Sequence, residues 1–427
     1  MQAVVRSPKT INATLTPPGD KSISHRAAIF NAIADGEARV DNFGSGADCA
    51  STLRILRALG IEIEGDKQSF WVRGGTLSEP ADVLNTGNSG TTTRLMTGVL
   101  AGQSFLSVLT GDRSIRTRPM GRVVEPLRQM GAVIDGRDDG KLAPLTFRGG
   151  SLHGIRYTMP VASAQVKSAL LLAGLFAEGE TVLDQPAVSR DHTELMFRAM
   201  GIDVMEDGLS VTVHPGRLKA VDVTVPADIS SAAFWLVAGV CHPDAEIRVR
   251  GVGVNPSRTG VLDVLQAMGA DVTVENKRTQ GGEHVADLVA RSSELHATEI
   301  TGDLIPRLAD EVPVLALAAC FAKGTTVVSD ASELRLKESD RIMATAKELS
   351  RLGANVEETV DGLRITGGRK LIGANGRSYS DHRMAMTLGI AGLLSAGQTK
   401  ISGAETASIS YPTFWDELAS VGEGSAG

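Results

Sequence analysis

The chain has 427 residues, too many for one ordinary hydrophobic core, so two or more domains are expected. With 42% hydrophobic and 22% charged residues it has the composition of an ordinary globular protein. A formal net charge of -7 argues against a nucleic-acid coat or an anionic-membrane binder, because each needs a basic face, and any anion site must therefore be local. Cys49, Cys241 and Cys320 lie far apart without metal-ligand spacing, which predicts reduced buried thiols and a cytoplasmic setting. The longest apolar runs, Ala169 to Ala177 and Val312 to Ala322, fall far short of a membrane span. The first motif begins within twenty residues of Met1, and no transit peptide is expected.

A strand from Ala3 to Thr16 comes first. Behind it, Gly19-Asp20-Lys21-Ser22-Ile23-Ser24-His25-Arg26 places two cations and several short polar side chains at the start of an apolar helix, Ala27 to Ala34, which Gly36 ends. Asp20 or Ser22 suits the N-cap, leaving the first-turn N–H groups and the positive end of the helix dipole facing outward. Beside Lys21 and Arg26 they make an anion site. One such segment reads as a capped helix with two solvated cations; recurrence gives it weight.

The pattern does recur. An amphipathic helix that ends in Gly and runs into an alternating strand closes at Gly60, Gly131, Gly201, Gly269, Gly353 and, less regularly, Gly422, at intervals of 68 to 71 residues with one of 84. Such a period marks internal repetition, and each Gly suits a left-handed C-cap. Between them lie far more apolar helices, Asp20–Asp35, Asn88–Ala101, Ser163–Glu178, Asp228–Cys241, Asp310–Lys323 and Ser380–Ala396, whose composition requires burial on most sides. One repeat thus reads strand, buried helix, strand, amphipathic helix and two closing strands. The fold class expected is α/β: two domains, each of three βαβαββ-like repeats with parallel buried helices under a coat of sheet. The upper domain spans 18–228, and the discontinuous lower one spans 1–17 plus 229–427. The chain crosses between them near 16–19 and 225–228, where Pro226 breaks a strand. If the domains face each other through the helix entrances, six positive dipole ends draw anions into the cleft.

The polar first turns carry the chemistry. Asn88-Ser89-Gly90-Thr91-Thr92-Thr93-Arg94 has a Gly that lets a ligand approach the backbone and an Arg one turn on. Ser163-Ala164-Gln165 with Lys167 offers neutral donors and a cation. Thr117-Arg118-Pro119-Met120-Gly121-Arg122, Leu336-Lys337-Glu338-Ser339-Asp340-Arg341 and Ser380-Asp381-His382-Arg383 each carry Arg. Lys21, Arg26, Arg118, Lys337, Arg341 and Arg383 together exceed what one carboxylate needs and suit two anionic substrates, at least one a phosphate. Asp310 and Glu338 lie among these cations; their bland role is capping and charge balance, their chemical one general acid and base. Neither a phosphate loop nor a dinucleotide fingerprint is present in the sequence.

Five motifs in order, Gly-Asp-Lys-Ser-Ile-Ser-His-Arg at 19–26, Asn-Ser-Gly-Thr at 88–91, Arg-Pro-Met-Gly at 118–121, Lys-Glu-Ser-Asp-Arg at 337–341 and Asp-His-Arg-Met-Ala at 381–385, resemble the EPSP synthase family of enolpyruvyl transferases, from about Pro18 to Phe414. The resemblance implies a two-domain inside-out α/β barrel. It implies transfer of the enolpyruvyl group of phosphoenolpyruvate to the 5-hydroxyl of shikimate 3-phosphate, through a tetrahedral adduct, with release of phosphate. No metal or organic cofactor, nucleic acid or membrane is implied as partner, and a monomer is expected. By resemblance Lys21, Ser22 and Arg26 hold shikimate 3-phosphate, with Lys21 also reaching phosphoenolpyruvate. Ser163, Gln165 and Lys337 take the shikimate phosphate and ring hydroxyls, and Gln165 touches both ligands. Gly90, Arg118, Arg341 and Arg383 enclose phosphoenolpyruvate, with Asn88 and Thr91 shaping the pocket. Asp310 accepts the proton of the attacking hydroxyl and Glu338 lies near the methylene carbon to be protonated. Domain closure excludes water from the cationic centre.

The sequence departs from the family pattern at several places. Ala164 stands where many relatives have a second Ser, and Arg190 is the expected replacement contact to shikimate 3-phosphate; Ile409 stands in place of a Lys and Glu333 in place of an Asn. Gly90 is unbranched, so glyphosate is expected to fit the phosphoenolpyruvate pocket. The related UDP-N-acetylglucosamine enolpyruvyl transferases use a Cys on the loop that here reads Arg116 to Arg122, where there is none. A non-catalytic anion-binding scaffold would have no need of Asp310 and Glu338 amid cations.

Overall fold

The computed structural model describes residues 1–280 and 282–423. The chain divides into two units, one of Met1–Pro18, Pro226–Thr279 and His284–Gly427, the other of Gly19–Val225 and Gln280–Glu283. Relative to the expected 18–228, the second unit lacks Pro18 and residues 226–228 and gains a hairpin tip. The expected lower domain runs to 427, and its last four positions lie outside the described residues.

Each unit holds three copies of the repeat, and the sheets share one strand order. Leu84–Asn85 leads into the buried helix Gly90–Ala101, and Ser107–Thr110 leaves it in parallel with the first strand. The amphipathic helix Gly121–Gln129 follows, then the hairpin Val133–Arg137 and Leu142–Arg148, whose second strand pairs antiparallel with Ser107–Thr110. The copy after it repeats the order with Arg156–Thr158, Thr181–Asp184, Val204–Asp207 and Ser210–Val213. No sheet closes on itself: among the described residues there are five four-stranded sheets and one three-stranded sheet, so the expected barrel is a set of separate open sheets.

Three copies are completed by strands from remote sequence. Val223–Thr224 pairs in parallel with Glu37–Asp41, Ile11–Leu15 in parallel with Ala245–Gly253, and Gln2–Arg6 antiparallel with Gln398–Ser402. The single strand expected from Ala3 to Thr16 is therefore two strands in two sheets. The break comes at Ser7-Pro8, where Pro lacks the N–H a ladder needs.

Gly60, Gly131, Gly201, Gly269 and Gly353 take φ values of 82° to 97°, the left-handed cap their position predicts. Gly422 differs, lying inside the helix Phe414–Glu423. The long interval before Gly353 has a physical source: the hairpin Asp271–Gln280 and Glu283–Arg291 has strands of 10 and 9 residues, and a short helix, Leu304–Leu308, is inserted after it. The fifth buried helix consequently begins at Val312, with Pro313 in its first turn, and Asp310 sits in the turn ahead of it rather than on the helix. The third, Ala164–Gly174, stops four residues short of the expected Glu178, whose N–H donates instead to the Leu152 carbonyl.

The buried helices of the second unit pack closely enough to need a missing side chain. A Cβ at Gly98 would lie 2.1 Å from the Ala169 carbonyl oxygen, so the helices Gly90–Ala101 and Ala164–Gly174 touch backbone to backbone. Gly98→Ala must separate them, and we expect a loss of about 1–3 kcal/mol in stability by denaturant titration. An unchanged midpoint would show that the helices part freely. In the first unit, Trp235 is buried and its indole N–H donates to the Tyr411 hydroxyl at 3.0 Å. The Cys320 thiol, also buried, is pushed up to about 12 by that burial and stays protonated. Among the described residues no helix is long and apolar enough to cross a membrane.

Candidate active site

In the second unit the entrances of the three buried helices are joined by side chains. Asp20 caps the helix Lys21–Ala32, accepting from the Ile23 N–H at 2.9 Å, and so sets Lys21 at its first position. The Lys21 ammonium, 21% exposed, pairs with Asp48 at 3.0 Å; Asp48 comes from the amphipathic helix Ala47–Ala58. Ser89 caps Gly90–Ala101 and Ser163 caps Ala164–Gly174, so the Ser163 hydroxyl accepts from the Val166 N–H. Arg94, one turn inside, donates to Gln165 at 2.9 Å, and the Gln165 amide donates to the Thr91 hydroxyl at 3.0 Å. A Cβ at Gly90 would meet Arg118 Nη1 at 2.8 Å and Arg94 Nη1 at 3.0 Å. Two guanidinium groups thus converge on a helix N-terminus, an arrangement made for an anion. Asn88, half-buried at the edge, donates to Asp112 at 2.6 Å, and Arg190 and Ser22 are also half-buried.

Two cations lie deeper than the sequence suggests. Arg26 is 2% exposed and donates to the Ser22 carbonyl at 2.9 Å, Thr193 at 2.7 Å and Ser168 at 2.6 Å. Burial, opposed by Glu194 and Asp20 and aided by Arg190, lowers its pKa to about 10. Lys167 is buried against Glu194 at 2.6 Å, so it is not the entrance cation expected beside Gln165. Ala164, half-buried, contributes no side-chain donor.

His25 shows how the interior is wired. Its Nδ1 lies 2.7 Å from the Thr52 hydroxyl, which lies 2.7 Å from the Thr92 hydroxyl; Thr92 donates to Ser89 at 2.7 Å. Burial first, then Lys21 and Arg26, hold the His25 pKa well below the usual value, so the imidazole stays neutral. A depressed His pKa means that the unfolded chain takes up the proton first. Stability is therefore full above about pH 6.5 and falls as pH drops toward the folded value, by about 1.4 kcal/mol per unit. We expect His25→Gln to remove that component, read as a flatter plot of unfolding free energy between pH 7 and pH 5. Parallel plots for parent and variant would contradict it.

In the first unit the decisive group is Arg341, buried at the start of the helix Arg341–Arg351. It pairs with three carboxylates: Nη1 with Asp310 at 3.0 Å, Nη2 with Glu338 at 2.7 Å and Nε with Asp381 at 2.9 Å. Burial alone would lower its pKa, but Asp381, Glu338 and Asp310 outweigh it and raise the value. Asp381 caps the helix His382–Leu394, accepting from the Arg383 N–H at 2.8 Å, and it also accepts from the Ser339 hydroxyl at 3.0 Å. The Arg383 side chain is different. It is 3% exposed, yet its Nε and Nη1 have no hydrogen-bond partner among the described residues. Buried donors left so are costly. Lys337 and Ile409 are half-buried, and Glu333 is exposed.

The second unit therefore joins Lys21, Gly90, Thr91, Arg118 and Gln165 to one set of helix entrances, and the first joins Asp310, Glu338, Arg341 and Arg383. Sequence reasoning missed Asp48, Asp381 and the role of Arg94. The last two had signals: Asp381 precedes a buried helix in a cap position, and Arg94 stands four residues after Gly90, one turn along the same face. Nothing local marks Asp48.

A model of the family described as EPSP synthase (3-phosphoshikimate 1-carboxyvinyltransferase) matches residues 5–418. The chain belongs to the EPSP synthase family. It is 53% identical to the 3-phosphoshikimate 1-carboxyvinyltransferase of Herpetosiphon aurantiacus, over 99% of this chain and 100% of that one. It is 57% identical to that of Gloeobacter violaceus, over 97% of each. The solved structure of an EPSP synthase from Acinetobacter baumannii matches with a TM-score of 0.88 at 43% identity, over 98% of this chain and 97% of that one. The two-unit α/β architecture is thus the fold of EPSP synthases, and the clamp around Arg341 lies on two of the motifs that first suggested the family.

Proposed function

We propose that residues of the two units perform the reaction of the EPSP synthase family. The reaction is transfer of the enolpyruvyl group of phosphoenolpyruvate to the 5-hydroxyl of shikimate 3-phosphate. The observation that carries the assignment is the buried Arg383 guanidinium with two unengaged donors, on the helix capped by Asp381, together with a carboxylate pair, Asp310 and Glu338, held by the same Arg341 that pairs with Asp381. Arg383, with Arg118 and the Gly90 N-terminus, binds phosphoenolpyruvate. Lys21, Ser22, Ser163, Gln165, Arg190 and Lys337 bind shikimate 3-phosphate, while Arg26 supports them from within. As Glu338 delivers a proton to the methylene carbon, C2 becomes cationic and the 5-oxygen attacks it, giving up its proton to Asp310. Glu338 then takes a proton from the new methyl group as the C2–O bond to phosphate breaks, which expels phosphate and restores the double bond. Lys21 supplies countercharge to the departing phosphate.

Both substrates are phosphorylated metabolites that do not cross membranes unaided, which supports a cytoplasmic location. The unbranched Gly90 supports glyphosate as a ligand competing with phosphoenolpyruvate, to be read as inhibition at low phosphoenolpyruvate. The central test is phosphate release from the two substrates together. Release with both and with neither alone supports the reading, and binding without turnover supports a scaffold.

A further inference from the structure

Lys21 and Gly90 are far apart in sequence and sit on different helices, yet each must meet a substrate group to within a fraction of an ångström. A third helix, Ala47–Ala58, touches both helices and contributes no residue to the substrate contacts assigned above. Asp48 and Thr52 are four residues apart on it and so share a face. Asp48 pairs with Lys21 at 3.0 Å, and Thr52 reaches His25 and Thr92, each at 2.7 Å. His25 stands one turn beyond Lys21 on its helix, and Thr92 is in the first turn after Gly90.

The hydrogens run one way along this chain. Thr92 donates to the Ser89 cap, so Thr52 donates to Thr92, and the neutral His25 donates its Nδ1–H to Thr52. Thr52 is buried completely, and its hydroxyl is the one atom that joins the Lys21 helix to the Gly90 helix in this relay. Valine has the same shape without the hydroxyl. It would leave His25 Nδ1 and Thr92 to find new partners in a dry interior.

We propose that Thr52 is a positioning residue for phosphoenolpyruvate, acting through His25 and Thr92 to hold the Lys21 and Gly90 entrances at their working separation. The inference rests on the assignment of those two residues to substrate. Its test compares the parent with Thr52→Val and Thr52→Ser, measuring kcat, KM for each substrate, phosphoenolpyruvate binding by calorimetry, and thermal midpoint. Thr52→Val should lower kcat/KM for phosphoenolpyruvate about tenfold or more, mainly through KM, and Thr52→Ser should restore it to within about twofold. A Thr52→Val enzyme with parental KM would overturn the proposal. So would equal losses in both variants, because packing rather than the hydroxyl would then matter. Should Thr52→Val fail to fold, Thr92→Val cuts the same relay from its other end and is judged by the same KM. Failure of the parent itself to release phosphate would count against the proposed function, and the calorimetric affinity would still decide the role of Thr52.

Discussion

Asp310→Asn is expected to fold like the parent, bind both substrates, and lose about 10²- to 10⁴-fold in kcat, the usual worth of a positioned proton acceptor. The reasoning is steric as much as chemical. Asn keeps an oxygen where Asp310 accepts from Arg341 Nη1 at 3.0 Å, so the clamp survives in outline while the site can no longer take a proton. Asp310 also sits in a turn between two helices, where one changed atom disturbs no core packing. Substrate affinities by calorimetry and single-turnover rates separate the two effects. A kcat within threefold of the parent would remove Asp310 from the chemistry and move the search for a base to Glu338.

Arg341→Met should be the most destabilising single change in the first unit. It leaves three carboxylates without their common countercharge, one of them, Asp381, wholly buried. Breaking a buried pair in this way costs about 3–5 kcal/mol. The effect should depend on pH in a definite sense. In the parent, burial pushes the Asp381 pKa up but Arg341 and then His382 more than reverse it, so the value lies below normal. That stability is present above the ordinary carboxylate range and is lost as pH falls. Without Arg341, burial is opposed by His382 but no longer by the guanidinium and the folded value rises, so the variant is favoured at low pH and weakened as pH climbs. The gap between parent and variant should therefore be widest near pH 7 and narrow toward pH 5. A gap independent of pH would mean that Asp381 is not the group left stranded.

The repeats were legible because a helix C-cap needs a left-handed residue, and Gly at a fixed interval writes that need into the sequence. Helix entrances were legible for a similar reason: Asp20, Ser89, Ser163, Asp228 and Asp381 cap directly, each accepting a first-turn N–H. Pairing across the chain was not. Val223–Thr224 and Glu299–Ile300 are strands of two residues, too short for any alternation to show, and their partners are chosen by tertiary packing. Charge placement was half legible. A run such as Lys337-Glu338-Ser339-Asp340-Arg341 announces a polar helix start, but which cation gathers the carboxylates is decided by the neighbours that tertiary packing brings to it, not by depth, since Arg341 and Arg383 are equally buried. Arg341 and Arg383 look alike in sequence, and one is saturated with acceptors while the other is not.

The pairing of Gln2–Arg6 with Gln398–Ser402 sets a timetable for biosynthesis. Gln2–Arg6 is seated only after Gln398–Ser402 has been made, a wait of roughly 20–80 s at ordinary translation speeds. Gly19–Val225, by contrast, has its own closing strand as soon as Val223–Thr224 emerges. One unit can thus close that sheet early in synthesis, while the other carries an unpaired edge at Gln2–Arg6 until Gln398–Ser402 emerges.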